Sequence, residues 1–311
     1  MTDSKKTYSR VGLALIAATV FILAFSRCVL VPLIVKTDLE ALVQTIGPTL
    51  ALLLTDLPNF LFLLVFWLVI RTIPKSEWQR ETMSFRSVFQ IFVMMYAVSM
   101  SINLIGLTIS KAAPAGGSEQ LNLISDIVTS GAPIGIMMTV IIAPLVEELI
   151  FRKLMLDRIR NYGEKTAIVF SALCFGLFHG NLTQFMYAFS VGLFLGYVYC
   201  KTGKVIYTMI MHALLNMISS SIMLLAPAMG IGAVGKLLLA ASALVIAVMF
   251  VLGFIQLIRH LRTKDLRTDD SMPSMIPKRE IAKTVYLNPC VLLFVLYYTS
   301  EIVMDLFKIT L

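Results

Sequence analysis

Long apolar segments recur along almost the whole 311-residue chain, and they restrict its fold more than any other feature. A helix of about 20 apolar residues is needed to cross a hydrocarbon core of about 30 Å. The composition agrees, since 58% of the residues are hydrophobic, 14% are charged and the mean hydropathy is +0.87. The sequence therefore predicts an all-α fold, a polytopic transmembrane bundle of about eight core helices and one extra C-terminal apolar helix. It leaves no room for a sizeable soluble domain.

Nine apolar segments are long enough to be considered as spans. They cover residues 11–35, 46–70, 87–110, 127–151, 167–182, 183–200, 205–228, 234–258 and 286–307. The fifth and sixth are short and closely joined, so tilted, partly re-entrant and partly fused arrangements all remain open. Residues 259–283 are polar and basic with two prolines, which predicts a flexible connector before the last segment.

The distribution of charge predicts the orientation in the membrane. The net charge is +8, and these spans place 21 of the 26 Lys and Arg residues on the side of the N-terminus. An excess of Lys and Arg marks the cytoplasmic side of membrane proteins. We therefore expect a multi-pass protein of the cell membrane with a cytoplasmic N-terminus and lipids as neighbours, and we do not expect a nucleic-acid partner. The four cysteines are scattered without a CxxC pair, which argues against a disulfide framework or a zinc ribbon.

Two features predict contacts between helices. The segments GLFHG at 176–180 and GLFLG at 192–196 each match GxxxG, a pattern that lets helix backbones approach closely. Arg27 and Asp56 fall at similar depths in the first two spans, so we expect them to form an ion pair.

The segment APLVEELIFRKL at 143–154 places Glu147 and Glu148 side by side in an apolar span. One unpaired charge at the membrane centre costs roughly 2.5–3.5 kcal/mol, so these carboxylates need partners. Residues four apart share one face of a helix. Arg152 can therefore offset the cost of burying Glu148, whereas Glu147 points elsewhere and must find a partner on another helix.

Two further segments carry polar residues at the same four-residue spacing. Phe175 is followed by His179, and His212 is followed by Asn216. His179 and His212 are the available partners for Glu147, which could then serve as a general base. The alternative is that the polar residues only satisfy one another in the core. His260 lies at a basic membrane exit and is expected to be a solvated flanking residue.

These residues form three ordered motifs: EELIFR fits EExxxR, FGLFH fits FxxxH and HALLN fits HxxxN. Together they resemble the CPBP (Abi) family of type II CAAX prenyl endopeptidases and bacteriocin-processing enzymes, most clearly over residues 125–228. The resemblance implies a glutamate-dependent intramembrane peptidase without a cofactor. It implies that Glu147 and His179 activate water and that His212 and Asn216 stabilise the oxyanion. Glu148, Arg152 and Phe175 would support these groups.

The resemblance also leaves alternatives. Glu147, His179 and His212 could form a zinc site, although the absence of HExxH favours a mechanism without metal. A non-enzymatic immunity or scaffold protein and a proton-relay transporter are the other candidate functions. For a peptidase, the partner would be a peptide or lipidated protein substrate. The predicted organisation has N-terminal transmembrane helices at 1–110, a catalytic transmembrane core at 111–258, a cytoplasmic connector at 259–285 and a C-terminal transmembrane segment at 286–311.

Overall fold

The chain folds into a bundle of helices, as the apolar segments predict. The computed structural model describes residues 3–32, 57–76, 82–113, 137–225, 232–263, 266, 268, 275–307 and 309, and every regular element among them is helical. The helices are α1 (Asp3–Leu30), α2 (Leu57–Ile70), α3 (Phe85–Ala112), α4 (138–159), α5 (Glu164–Leu177), α6 (Leu182–Thr202), α7 (Val205–Leu225), α8 (Gly232–Thr263), α9 (278–286) and α10 (Pro289–Phe307). This is an all-α membrane bundle.

Five of the described helices are long and apolar enough to cross a membrane on their own: α1, α3, α6, α8 and α10. The predicted span 167–182 is too long, because α5 ends at Leu177 after only 14 residues. The fifth and sixth apolar segments are thus two separate helices, α5 and α6, with a reversal between them. The predicted spans 46–70 and 127–151 lie partly outside the described residues, as does Asp56, the expected partner of Arg27.

The reversal between α5 and α6 is made by residues 178–181, which we call the HG turn. Gly180 has φ +69°, a conformation that costs glycine little and other residues more. The Asn181 side chain then accepts a hydrogen bond from the Gln184 N–H (2.9 Å) and so caps the start of α6. The N–H groups of His179 and Gly180 donate to carbonyls of α5, so the turn keeps its backbone hydrogen-bonded inside the bundle.

The α5–α6 contact depends on missing side chains. A β-carbon on Gly192 would lie 2.9 Å from the Ala172 Cα, and one on Gly176 would lie 2.9 Å from the Phe185 carbonyl oxygen. Close packing is therefore confirmed at these two glycines of the GxxxG patterns. On its other side α6 packs against α3, where the Ser190 hydroxyl donates to the Ser99 hydroxyl (2.9 Å).

The C-terminal apolar segment forms α10, which packs against α1. A β-carbon on Gly12 would lie 2.7 Å from the Val291 nitrogen, so the two helices approach closely at this point. About two turns further on, the hydroxyls of Thr19 and Tyr298 lie 3.4 Å apart. Because these contacts follow the same order along both helices, α1 and α10 run parallel to each other. The predicted connector 259–283 is too long, since residues 259–263 continue α8 and residues from 278 onward form α9.

One end of the bundle is held by buried ion pairs, and we call it the charged end. Its pairs are Lys153–Asp157 (2.9 Å), Arg160–Glu164 (3.2 Å) and Lys201–Glu164 (3.2 Å). Asp157 and Glu164 are almost fully buried, while the paired lysines remain about one-third exposed. Glu147 lies ten residues before Asp157 on α4, which is a distance of about two helical turns along the helix. The Glu147–Glu148 step is therefore well inside the bundle.

Candidate active site

The helix that carries the two glutamates is irregular. Within α4, residues Ala143–Glu148 are α-helical, but Met138–Ile142 and Leu149–Leu156 form wider π-helical turns. Such turns are frequent at functional sites. In both of them a backbone carbonyl accepts a side-chain hydrogen bond from a neighbouring helix. Asn216 Nδ2 donates to the Thr139 carbonyl (3.0 Å), and the Ser171 hydroxyl donates to the Phe151 carbonyl (2.9 Å). These bonds tie α4 to α7 and α5.

Glu148 is fully buried and is held by two partners on one carboxylate oxygen. The Arg152 Nη1 lies 3.1 Å from Glu148 Oε1, so the ion pair predicted from their spacing is present. His212 Nδ1 lies 3.0 Å from the same oxygen. Because a carboxylate oxygen only accepts, Nδ1 carries the proton of this hydrogen bond. Glu148 therefore keeps a proton on Nδ1 and fixes the orientation of the His212 ring.

Phe175 is the common neighbour of all three motifs. The Arg152 guanidinium lies 4.5 Å from the centre of the Phe175 ring, a cation–π contact. The rings of His179 and His212 meet Phe175 edge to face, with centroids 5.1 and 5.7 Å from its own. Phe175 is 1% exposed. The three polar segments, which are far apart in sequence, therefore converge around one buried aromatic ring.

Glu147 differs from Glu148 in its exposure and in the nitrogen of His212 that it faces. Its side chain is 19% exposed, whereas that of Glu148 is 0% exposed. Its ion-pair partner is His212, whose Nε2 lies 3.7 Å from Glu147 Oε2. The His212 ring thus stands between the two glutamates, with one nitrogen toward each. Glu147 is the carboxylate that a water molecule or a substrate can reach.

His179 uses one of its two ring nitrogens within α5. Its Nδ1 lies 2.8 Å from the carbonyl oxygen of Phe175, one turn earlier. A carbonyl only accepts, so Nδ1 must be the protonated nitrogen, and in the neutral ring Nε2 is left as an acceptor. The residues alone left His179 and His212 open as partners of Glu147, and the resemblance paired it with His179. In the structure the ion-pair contact of Glu147 is with His212.

Asn216 lies one turn beyond His212 on α7 and is half-buried. One N–H of its amide donates to Thr139, as described above, and a side-chain amide carries two such donors. Sequence spacing indicated Asn216 but not Thr139. The role of Thr139 depends on a carbonyl freed by a π-helical turn, and no residue type signals that feature.

The structure also shows whether side chains come together in a way that could bind a metal ion. Among the residues described, no three His, Cys, Asp or Glu side chains come together in an arrangement that could hold a metal ion. Glu147, His179 and His212 are all described, so the side chains considered for zinc do not form a coordination site here. The reaction proposed for this site does not use a metal ion.

Comparison with known proteins finds a family that the central part of the chain resembles. Residues 129–218 match the family model "Type II CAAX prenyl endopeptidase Rce1-like", and this range contains all three motifs. The chain is also 25% identical over 166 residues to the candidate membrane peptidase YdiL of Bacillus subtilis (strain 168). That alignment covers 50% of this chain and 64% of the relative, which is less than two thirds of its length. No solved structure matches the chain. The chain is therefore similar to the Rce1-like family over residues 129–218, as the resemblance of the motifs indicates.

Proposed function

We propose that this protein is an intramembrane peptidase that hydrolyses a peptide bond of a membrane-associated substrate with water activated by Glu147. The observation that carries the proposal is the inequality of the two glutamates. Glu148 is sealed against Arg152 and His212, while Glu147 keeps an accessible carboxylate 3.7 Å from the other nitrogen of His212. A purely structural pair of carboxylates would not need one member to remain open.

In the proposed reaction Glu147 accepts a proton from a water molecule, and the water oxygen attacks the peptide carbonyl carbon. His179 Nε2 is an acceptor without a bond to its own helix and holds the second hydrogen of that water. The protonated Glu147 then donates its proton to the leaving amine as the carbon–nitrogen bond breaks. One water and one peptide bond are consumed, and one carboxylic acid and one amine are formed. The second hydrogen of the water stays on the new carboxyl group and then passes to the amine or to solvent, which leaves a carboxylate.

The negative charge that develops on the carbonyl oxygen is assigned to His212 and Asn216. The proposed step uses a His212 ring with a proton on both nitrogens, because Nδ1 donates to Glu148 and only a second proton lets Nε2, which faces Glu147, donate to the oxyanion. Its Nδ1–H is held by Glu148, and its Nε2–H can move from Glu147 to the oxyanion. The second N–H of Asn216 supplies another donor. Donors fixed in advance stabilise an oxyanion effectively because they need no rearrangement during the reaction.

The supporting residues act through position. Glu148 orients His212, Arg152 neutralises Glu148, and Phe175 packs against Arg152 and both histidines. Hydrogen-bonded neighbours of this kind hold catalytic groups within the narrow geometry that the chemistry needs.

The substrate class follows from the location and the family. A site about two helical turns inside the bundle receives a peptide that reaches the membrane, as a membrane-anchored or lipidated protein does. The family description points to prenylated CAAX proteins, and bacteriocin-like peptides are the second class that we propose. The basic residues near the start of α1 favour a cell-membrane protein with the N-terminus in the cytoplasm.

The direct test is a comparison of membrane proteomes from cells that produce the wild-type chain or its Glu147→Gln variant. New peptide termini should appear with the wild type and be absent with the variant at equal expression. Identical sets of termini would contradict the proposal and favour a binding or scaffold protein.

Asn216→Asp tests the oxyanion assignment. The substitution keeps the size of the side chain but replaces the N–H donor with an acceptor. We expect kcat to fall by about 100- to 1,000-fold with little change in KM, because one oxyanion donor is lost. Kinetics on a cleaved peptide from the proteome comparison give both constants. A change confined to KM would show that Asn216 binds substrate and does not stabilise the reacting oxygen.

Removal of metal ions provides a separate test. Incubation of the purified protein with a strong chelator such as 1,10-phenanthroline is expected to leave the rate of peptide cleavage unchanged. The non-chelating isomer 1,7-phenanthroline is the matched control. Loss of activity with the first compound alone, reversed by added Zn²⁺, would contradict the metal-free mechanism.

A further inference from the structure

The HG turn, which carries His179, is held by aromatic contacts with helices outside residues 129–218, the range that matches the family model. The ring of Phe178, directly before His179, lies among three other rings from three different helices. Their centroids are 4.8 Å away for Phe62 of α2, 5.8 Å for Phe151 of α4 and 6.0 Å for Tyr298 of α10. Residues 178–181 lie between two helices, so the packing of Phe178 is a main determinant of the position of the turn.

Helix α10 supplies one of these rings, and this helix, like α2 with Phe62, lies outside the matched range 129–218. Tyr298 is itself fixed on two sides, by the Thr19 hydroxyl of α1 at 3.4 Å and by the Phe294 ring at 4.7 Å. One turn further along α10, the Glu301 β-carbon lies 4.0 Å from the position of a β-carbon on Gly180. Helix α10 thus contacts Phe178, directly before His179, and lies close to Gly180, directly after it.

We propose that Tyr298 is a positioning residue of the active site, and that α10 is the buttress that holds the HG turn and with it the His179 ring. The His179 ring is held by a hydrogen bond to the Phe175 carbonyl, by edge-to-face contact with the Phe175 ring and by the backbone of the turn. The bond fixes the rotation of the ring, and the buttress fixes the backbone from which the ring extends. The expected effect on catalysis rests on the function proposed above, whereas the structural effect does not.

The structural effect can be measured without any substrate. The chain contains three histidines, so ¹³C-histidine labelling of the protein in detergent micelles gives three sets of ring signals. The His179 set is assigned by its loss in His179→Gln, and His260 at the end of α8 serves as the internal reference. We expect Tyr298→Ala to shift or broaden the His179 signals and to leave those of His260 unchanged.

Two matched variants separate positioning from general loss of packing. Tyr298→Phe keeps the ring against Phe178 and should restore the wild-type His179 signals. Leu296→Ala removes a large side chain from the exposed face of the same helix and should leave them unchanged. If Tyr298→Ala does not fold, Tyr298→Leu keeps the apolar volume without the ring and is measured in its place. Unchanged His179 signals in the folded variant, or an equal shift in Leu296→Ala, would overturn the proposal.

The kinetic effect provides the second readout. We expect Tyr298→Ala to lower kcat by about 10- to 100-fold with KM unchanged, since small displacements of a catalytic group have effects of this size. Tyr298→Phe should restore kcat. A His179 shift without any peptidase activity in the wild type would leave the buttress intact and reject the proposed function. Normal kcat in a variant with the His179 shift would reject the positioning role alone.

Discussion

Replacing Glu147 with Gln is expected to lower the rate of peptide cleavage by about 100- to 10,000-fold, the range that a general base contributes. Gln has nearly the same shape as Glu but cannot accept a proton from water at neutral pH. The Glu147 side chain is 19% exposed and has one ion-pair partner at 3.7 Å, so the substitution disturbs little packing. The variant should therefore keep the wild-type melting temperature while losing activity.

The measurement is cleavage of a purified peptide substrate, followed by mass spectrometry, together with thermal unfolding in the same detergent. Glu280→Gln is the matched control, because Glu280 is 49% exposed and lies outside the site. It should retain full activity. Full activity in Glu147→Gln would reject Glu147 as the base, and equal losses in both variants would point to an effect of charge on the whole protein.

The helices could be predicted from the sequence mainly where one residue property decides the structure. Apolar length predicted α1, α3, α6, α8 and α10, because a membrane span depends on length and hydropathy alone. The early end of α5 could not be read this way. It depends on a glycine at φ +69° and an Asn181 cap inside an apolar stretch, and these features outweigh the continuing hydropathy.

At the site, a contact within one helix could be predicted from the sequence, whereas contacts between helices could not. The Glu148–Arg152 pair could be predicted because both residues lie on one helix at a fixed spacing. The choice of His212 over His179 as the partner of Glu147 depends on how α7 and α5 pack beside α4, and spacing within a helix carries no information on that. The contact of Tyr298 with Phe178 joins residues 120 positions apart and depends on the parallel packing of α10 against α1.

Removing the carboxylate of Glu148 is expected to have the largest effect on stability. Arg152 is 1% exposed, and Glu148 is its only ion-pair partner among the described residues. Glu148→Gln leaves a buried cation without its counterion, which typically costs about 3–5 kcal/mol of the free energy of unfolding. The His212 ring also loses the charged acceptor of its Nδ1–H. We therefore expect Glu148→Gln to be both unstable and inactive.

The double variant Glu148→Gln/Arg152→Met distinguishes these two effects. Met fills the space beside Phe175 without a charge, so the double variant should recover most of the lost stability, as replaced buried ion pairs often do. It should remain inactive, because His212 is still not oriented by a carboxylate. Equilibrium unfolding in mixed micelles and peptide cleavage measure the two properties on the same samples.

Glu164→Gln is the matched control for the stability effect. Glu164 is as deeply buried as Glu148, but its partners Arg160 and Lys201 are 14% and 29% exposed. Once released, these cations can turn toward water, so the expected loss is nearer to the roughly 1 kcal/mol of an accessible ion pair. If Glu164→Gln costs as much as Glu148→Gln, then burial of the carboxylate and not isolation of Arg152 decides the stability. If the double variant stays as unstable as Glu148→Gln, the contact between Arg152 and Phe175 matters more than its charge balance.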